Sequence, residues 1–231
     1  MLIMRGILIT FEGIDGSGKS TALAGVARMA SEGELAVERR RFLFTAEPTY
    51  GDEGRLLRER LRGPAAGGGG GEAMRAGQME ELFLFMADHA RHLAETVIPA
   101  LEGGMVVVSD RYSDSRAAYQ GATLREVFSD PMERVRELHR PWSVVPDRTI
   151  LFSIDPALAV ERCLSRGEAD PSAPKGPEKF EREEFLRLVA ENFKTLARLE
   201  PRRFVVIDAS RPIAEVLAET VEALAEVLAE G

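Results

Sequence analysis

The sequence predicts an α/β fold in which a five-stranded parallel sheet carries helices on both faces. Short apolar segments alternate with longer segments of helical periodicity along the chain, and this alternation is typical of a parallel sheet covered on both sides. Apolar residues make up 45% of the 231 residues, which is ample for a core. The length suits one large domain, residues 1–231, better than two small ones.

The predicted strands are short runs rich in Ile, Val, Leu and Phe, as expected for strands buried on both faces. They cover residues 7–11, 41–45, 105–109, 149–154 and 204–207. Helices are predicted where apolar residues recur every three to four positions, as in the stretch from Leu82 to Ile98. They cover residues 20–30, 53–61, 73–101, 124–138, 156–165, 180–199 and 212–228.

Two segments are predicted to be mobile. Residues 63–77 contain five successive glycines at 67–71, a run too flexible to pack well. Residues 167–177 lie between two predicted helices and combine prolines with charged side chains, so we interpret the segment around them, about 162–182, as a lid. The alternative for both segments is an ordinary surface loop.

The first predicted strand runs into Gly13-Ile14-Asp15-Gly16-Ser17-Gly18-Lys19-Ser20, which fits the phosphate-binding P-loop pattern G-x-x-x-x-G-K-[ST]. Glycines let successive backbone N–H groups point at one anion, and the following helix adds the positive end of its dipole. Lys19 is expected to reach the β- and γ-phosphates, and Ser20 to hold Mg²⁺. This predicts a three-layer P-loop NTPase fold. The residues expected to bind ATP are Gly13, Ile14, Asp15, Gly16, Ser17, Gly18, Lys19, Ser20 and Thr21.

The charge balance narrows the class of ligand. Thirty basic against 38 acidic residues give a net charge of −8, which argues against broad nucleic-acid binding. An anionic substrate must therefore be attracted by a local basic cluster. One cysteine, Cys163, excludes an internal disulfide and a Cys-rich zinc site. No signal peptide or membrane-spanning run is recognised, and we expect a cytoplasmic protein.

Two polar motifs follow predicted strands. Asp110-Arg111 follows the third strand, where a P-loop enzyme places the carboxylate that organises Mg²⁺, and the Arg111 fork suits phosphate oxygens. The alternative is that Asp110 merely caps the next helix. Glu47-Pro48-Thr49-Tyr50 ends the second strand and is predicted to face the crevice at the strand ends.

Together these motifs resemble the thymidylate kinase family. The resemblance rests on Phe11-Glu12-Gly13 with the P-loop, Thr45-Ala46-Glu47-Pro48-Thr49, Ala87-Asp88-His89-Ala90-Arg91-His92, Ser109-Asp110-Arg111-Tyr112-Ser113-Asp114-Ser115, Ala118-Tyr119-Gln120-Gly121 and Ile207-Asp208-Ala209-Ser210. It implies transfer of the ATP γ-phosphoryl group to dTMP, giving dTDP and ADP, by a homodimer that uses Mg²⁺. From the charge and the lack of a long apolar run we expect no nucleic-acid or membrane partner.

The resemblance also implies individual roles. Asp15 would accept a hydrogen bond from the sugar 3′-hydroxyl, Arg111 would bridge the two phosphates, and Asp110 would organise Mg²⁺ through water. Phe85 would stack on thymine, Tyr119 would pack against the sugar, and Gln120 would line the base pocket. The expected substrate-binding residues are Asp15, Glu47, Tyr50, Arg58, Phe85, His89, Arg111, Ser115, Arg116, Tyr119 and Gln120. With Gly16 instead of an arginine, the resemblance implies that the lid supplies the transition-state cation. The candidates are Arg162 and Arg166, then Lys175, Lys179 and Arg182.

The chain departs from the family at the base pocket. His89 occupies the position of an arginine that donates to thymine O4 in the family, and Arg116 replaces a small polar residue facing the base. Either Arg116 supplies the missing donor, or the enzyme takes another pyrimidine nucleotide. A nucleotide-binding switch protein is the alternative from a different class, although the chain has no N-K-x-D guanine-reading run.

Overall fold

The computed structural model describes residues 5–35, 40–62, 71–169 and 182–230. Five strands form one parallel sheet in the order β2-β3-β1-β4-β5. The strands are β1 (Ile7–Glu12), β2 (Phe42–Ala46), β3 (Val106–Asp110), β4 (Arg148–Ser153) and β5 (Phe204–Asp208). The five strands, their parallel arrangement and the α/β class are confirmed, with strand ends within one residue of the prediction.

The central strand β1 is buried along its whole length. Ile7, Ile9 and Phe11 join the main core with α1 and α9, while Leu8 packs in a second cluster with Leu93 on the other side. This alternation follows from the two-residue period of a strand. Phe11 and Ala46 both pair with Asp110, so the carboxyl ends of β1, β2 and β3 meet at one edge.

Helices cover the sheet. They are α1 (Lys19–Glu32), α2 (Asp52–Arg62), α3 (Glu72–His92), α4 (Ile98–Glu102), α5 (Ser113–Thr123), α6 (Pro131–His139), α7 (Pro156–Ala169), α8 (Glu183–Leu199) and α9 (Ile213–Glu230). A π-helical turn, Leu93–Val97, joins α3 to α4. Pro99 lies just beyond it and has no N–H to donate to Glu95, which explains the local break within the single helix predicted for 73–101.

One predicted helix is wrong in its bounds. Instead of a helix over 124–138, the chain forms a 3₁₀ turn at Leu124–Glu126 and then α6. Asp130 accepts a hydrogen bond from the Glu133 N–H, and Pro131 suits the first helical position, so the chain restarts there. The preceding helix, α5, was missed because it buries Asp114, Ser115, Arg116 and Gln120 as well as its alanines. Polar and apolar residues therefore do not separate onto two faces of this helix, and its sequence shows no amphipathic pattern.

The two segments predicted to be mobile are partly helical. Helix α3 begins at Glu72 and α7 extends to Ala169, so the ends of both predicted segments belong to helices. Residues 63–70 and 170–181 lie outside the described residues. None of the helices in the described ranges could span a lipid bilayer.

Candidate active site

The P-loop connects the buried strand β1 to α1. Gly16 has a φ of 80°, and a Cβ there would lie 2.2 Å from the Ala159 carbonyl oxygen. Gly13 has a φ of 144°, and a Cβ there would lie 2.5 Å from the Phe152 carbonyl oxygen. Both glycines are therefore required by backbone conformation and by the close approach of neighbouring backbone. The backbone of the loop therefore packs directly against the backbone of α7 and β4.

Lys19 folds back over this loop. Its Nζ donates to the Ile14 carbonyl at 2.9 Å and to Ser17 Oγ at 3.3 Å. Burial, followed by the positive charge of Arg111, lowers the pKa of Lys19 to about 8. A polyphosphate would favour the charged ammonium here, since an adjacent anion stabilises a cation.

Ser20 and Asp110 are candidate oxygen ligands for a metal ion, and their side chains are hydrogen-bonded to each other. Ser20 Oγ donates to Asp110 Oδ2 at 2.5 Å. The other carboxylate oxygen, Oδ1, is buried and has no hydrogen-bond partner among the described residues. One hydroxyl and one carboxylate fit Mg²⁺, which binds to few protein oxygens and keeps waters and substrate phosphates. Within the described chain no three His, Cys, Asp or Glu side chains form a metal cage.

Arg111 occupies a turn that the end of β1 holds. Its φ is 67°, and its backbone N–H donates to the Phe11 carbonyl at 2.9 Å. The guanidinium donates to the Gly13 carbonyl and forms an ion pair with Asp15. Burial alone would raise the pKa of Asp15, but Arg111 and Lys19 hold it below its usual value.

Glu12 holds the turn around Arg111 by accepting hydrogen bonds from the residues that follow it. Its Oε1 accepts from the backbone N–H groups of Tyr112 at 2.8 Å and Ser115 at 3.2 Å, and its Oε2 accepts from Ser115 Oγ. Burial, then the nearby Asp114 carboxylate, raises the pKa of Glu12 to about 8. Glu12 belongs to a motif that carries the family resemblance, but the sequence predicts no role for it. A lone acid ending an apolar strand was the available signal.

A cavity of about 200 Å³ opens beside Arg111. Most of the predicted substrate-binding residues meet there. Its lining comprises Asp15, Glu47, Pro48, Arg58, Leu61, Phe85, Arg111, Tyr112, Ser115, Arg116, Tyr119 and Gln120. Tyr119 Oη lies 2.7 Å from Asp15 Oδ2, and the Arg111 guanidinium lies 4.9 Å from the Tyr119 ring centre. The cavity thus joins an aromatic wall to a cation beside the P-loop.

Glu47 is the centre of a buried network beneath this cavity. One oxygen accepts from the Nδ1 atoms of His89 at 2.7 Å and His92 at 2.8 Å, and the other forms an ion pair with Arg116. His89 Nε2 then accepts from Ser143 Oγ at 2.8 Å. Burial alone would raise the pKa of Glu47, but Arg116 and His89 hold it well below its usual range.

Histidine His139, absent from the sequence-predicted set, completes the network. Its Nε2 accepts from the Arg116 Nε at 2.7 Å. Burial, followed by the charge of Arg116, lowers the pKa of His139 to about 2 and that of His89 to about 4. Both rings are therefore neutral. His139 lies far along the chain from the recognised motifs, so local sequence patterns offer no signal for it.

Two predicted substrate-binding residues, His89 and Tyr50, and the predicted lid residue Arg162 lie away from the cavity lining. His89 is fully buried behind it and bonded on both ring nitrogens. Tyr50 is 89% exposed, and its ring centre lies 4.6 Å from the guanidinium of Arg58. Arg162 donates to the carbonyls of Ala209 at 2.8 Å and Ser210 at 3.3 Å. Lys175 and Lys179 lie outside the described residues, and the side chain of Arg166 is not described either.

The chain is similar in sequence to known thymidylate kinases. The thymidylate kinase family model matches residues 11–220. The chain belongs to the thymidylate kinase family. A probable thymidylate kinase from Methanosarcina mazei is 50% identical over 225 residues, covering 96% of this chain and 97% of the relative. A probable thymidylate kinase from Natronomonas pharaonis is 42% identical over 221 residues, covering 94% and 98%.

The fold agrees with a solved thymidylate kinase. The crystal structure of thymidylate kinase from Ehrlichia chaffeensis superposes with a TM-score of 0.64 at 25% identity, covering 95% of this chain and 99% of that one. The predicted resemblance to thymidylate kinases is therefore confirmed along nearly the whole chain.

Proposed function

We propose that the protein is a dTMP kinase, which transfers the γ-phosphoryl group of ATP to the monophosphate of dTMP and releases dTDP and ADP. One observation carries this proposal. The P-loop and a cavity lined by an aromatic ring and buried polar groups open on either side of the same cation, Arg111. Two phosphate-bearing ligands would therefore meet at Arg111, as phosphoryl transfer requires.

The donor side comprises the P-loop residues 13–21. Backbone N–H groups and the start of α1 would hold the ATP phosphates, and Lys19 would neutralise charge on the transferred group. Ser20 and Asp110 would hold Mg²⁺, which would neutralise the charge that develops between the two phosphates. Catalysis would then consist mostly of positioning and charge stabilisation, so loss of Lys19 removes most of the rate.

The acceptor side comprises the cavity. Phe85 offers a flat apolar face for the base, and Asp15 offers a carboxylate to the sugar hydroxyl. Arg58 donates to the Pro48 carbonyl at 2.8 Å and to the Thr49 carbonyl at 2.5 Å, which holds its charge at the cavity wall for the monophosphate. Tyr119 closes the pocket beside Asp15.

Two further roles rest on the family. Arg162 or Arg166 would supply the transition-state cation from the lid. For Arg162 this requires release from the Ala209 and Ser210 carbonyls, so closure would re-aim the side chain. A homodimer is the assembly that the resemblance implies, and sedimentation of the purified protein tests it.

The decisive experiment is a coupled ADP-release assay across dTMP, dUMP, dCMP, dAMP and dGMP with Mg-ATP. We expect dTMP to be the preferred acceptor, and Lys19→Ala to lower turnover by orders of magnitude while the circular dichroism spectrum is kept. ATP binding without release of ADP for any acceptor would contradict the proposal and favour a switch protein. Preference for dCMP would favour a different pyrimidine kinase.

A further inference from the structure

Two side chains on α5 carry polar atoms that find no partner in the part of the chain that the structure describes. Arg116 Nη2 and both amide atoms of Gln120 are buried and have no hydrogen-bond partner among the described residues. Arg116 is 3% exposed and Gln120 is 1% exposed, yet both line the same cavity as Phe85. They are four positions apart, so they lie one helical turn apart on the same face.

Unpaired buried polar atoms destabilise a folded protein, because they lose their hydrogen bonds to water without gaining others. Native proteins keep few of them, and each calls for an explanation. Three such atoms belong to Arg116 and Gln120, which line one cavity, and a ligand that pairs with them would recover the missing hydrogen bonds on binding. The cavity is therefore built for a ligand edge with matching hydrogen-bond groups.

The chemistry of the two side chains defines that edge. A guanidinium only donates, whereas a carboxamide offers one acceptor and one donor group. The matching ligand presents an acceptor to Arg116 and a donor next to an acceptor to Gln120. A pyrimidine with a 4-oxo group and a protonated N3 has this order. Cytosine does not, because its amino group would face the donating guanidinium and its N3 has no proton.

Two contacts of the Arg116 guanidinium fix the direction in which its unpaired Nη2 group points. Nη1 is paired with Glu47 and Nε donates to His139. Because the guanidinium is planar and rigid, two fixed N–H groups determine where Nη2 points. His89 stands where the family resemblance places an arginine, and it donates to Glu47 instead of reaching the cavity.

We propose that Arg116 and Gln120 together select a 4-oxo pyrimidine, and that Glu47 and His139 are positioning residues that aim Arg116 at the base. This inference rests on the proposed kinase function and specifies how that enzyme chooses its acceptor. In this chain the arginine that contacts the base would lie on α5, not on α3 as the family resemblance implies. Glu47 and His139 hold it in place.

Gln120→Met tests the inference without a folding penalty. Methionine has a similar length and removes two unpaired polar atoms, so the free protein should melt at the same or a higher temperature. The same change should raise KM for dTMP by about tenfold or more and narrow the kcat/KM preference for dTMP over dCMP. KM for ATP should stay constant. A variant that loses stability, or keeps KM and preference unchanged, overturns the role of Gln120.

A matched pair at position 139 tests the positioning role. His139→Phe keeps a ring and removes the acceptor for Arg116 Nε, whereas His139→Gln keeps an acceptor oxygen. We expect the phenylalanine variant to lower the preference for dTMP over dCMP and the glutamine variant to restore most of it. Equal preferences in the two variants would show that His139 only fills space and would overturn that part of the inference.

Arg116→Lys completes the set, because it keeps the charge beside Glu47 and removes the planar fork. We expect it to bind ATP as the wild type does and to lose most of its preference for dTMP over dCMP. A wild-type enzyme that phosphorylates dTMP, with variants that all keep its preference, would overturn only this inference. A wild-type protein that phosphorylates no pyrimidine nucleotide would overturn the proposed function with it.

Discussion

Gly16 lies where the P-loop contacts helix α7, and its surroundings make a sharp prediction. A Cβ at this position would lie 2.2 Å from the Ala159 carbonyl oxygen, and this backbone atom cannot rotate away as a side chain could. Gly16→Ala should therefore displace α7 or the loop, at a cost of roughly 1–3 kcal/mol beyond that of the positive φ. Urea unfolding measures this cost.

Gly33 supplies the matched control for this substitution. It has a φ of 72°, similar to the 80° of Gly16, but a Cβ there would meet nothing within 4 Å. Gly33→Ala therefore carries only the cost of the left-handed conformation. Equal destabilisation by the two substitutions would show that the α7 contact is unimportant. An arginine side chain at position 16 would meet the same backbone of α7 as the alanine.

At the scale of elements, Glu12 joins the end of β1 to the start of α5. Its pKa of about 8, against 4.5 in the unfolded chain, means that the folded state holds an extra proton between these values. Stability from this group is complete below pH 4.5 and is lost as pH rises toward 8. Glu12→Gln keeps an acceptor for the α5 amides and removes the titration.

The pH dependence of stability tests this account of Glu12. Between pH 6.5 and 8 the wild-type free energy of unfolding should fall by up to about 1.4 kcal/mol per pH unit relative to Glu12→Gln. Chemical unfolding of both proteins across this range gives the difference. Parallel curves would mean that Glu12 is ionised in the fold throughout this range, and that its burial does not govern its charge.

At the scale of the whole molecule, all three histidines of the chain lie in one buried network. His89, His92 and His139 come from α3 and α6 and meet through Glu47 and Arg116. The network links the end of β2 to three helices, since Arg116 lies on α5. Protonating a buried ring beside Arg116 would add an unpaired charge to the core.

His89 should make the whole fold sensitive to acid. Its pKa is about 4 in the fold and 6.5 in the unfolded chain, so the unfolded state binds more protons between these values. The contribution of the neutral His89 ring to the free energy of unfolding is complete above pH 6.5 and is lost as pH falls toward 4. We expect His89→Gln to be destabilised at pH 7 and to lose less stability than the wild type on acidification. Thermal unfolding from pH 7.5 to 4.5 measures both, and a steeper acid loss in the variant would contradict this.

Local patterns in the sequence were sufficient for the strands and most helices. The strands are apolar throughout because a parallel sheet is buried on both faces, so their positions were predicted within one residue. Helix α5 was missed because tertiary packing buries all of its sides, including Arg116 and Gln120, and no amphipathic period remains. Pro131 and its Asp130 cap were visible in the sequence, but the helical pattern around them was extended through the break.

The sequence by itself determined the P-loop, the parallel α/β fold and the family, because each depends on residues that are close together in the chain or follow a local period. Only the tertiary structure decided how the base pocket is built. His89, Arg116 and His139 are separated by 27 and 23 positions in the chain, and burial places them around one carboxylate, Glu47. Whether an arginine reaches a ligand or a neighbouring acid depends on distances between helices, which no local pattern encodes.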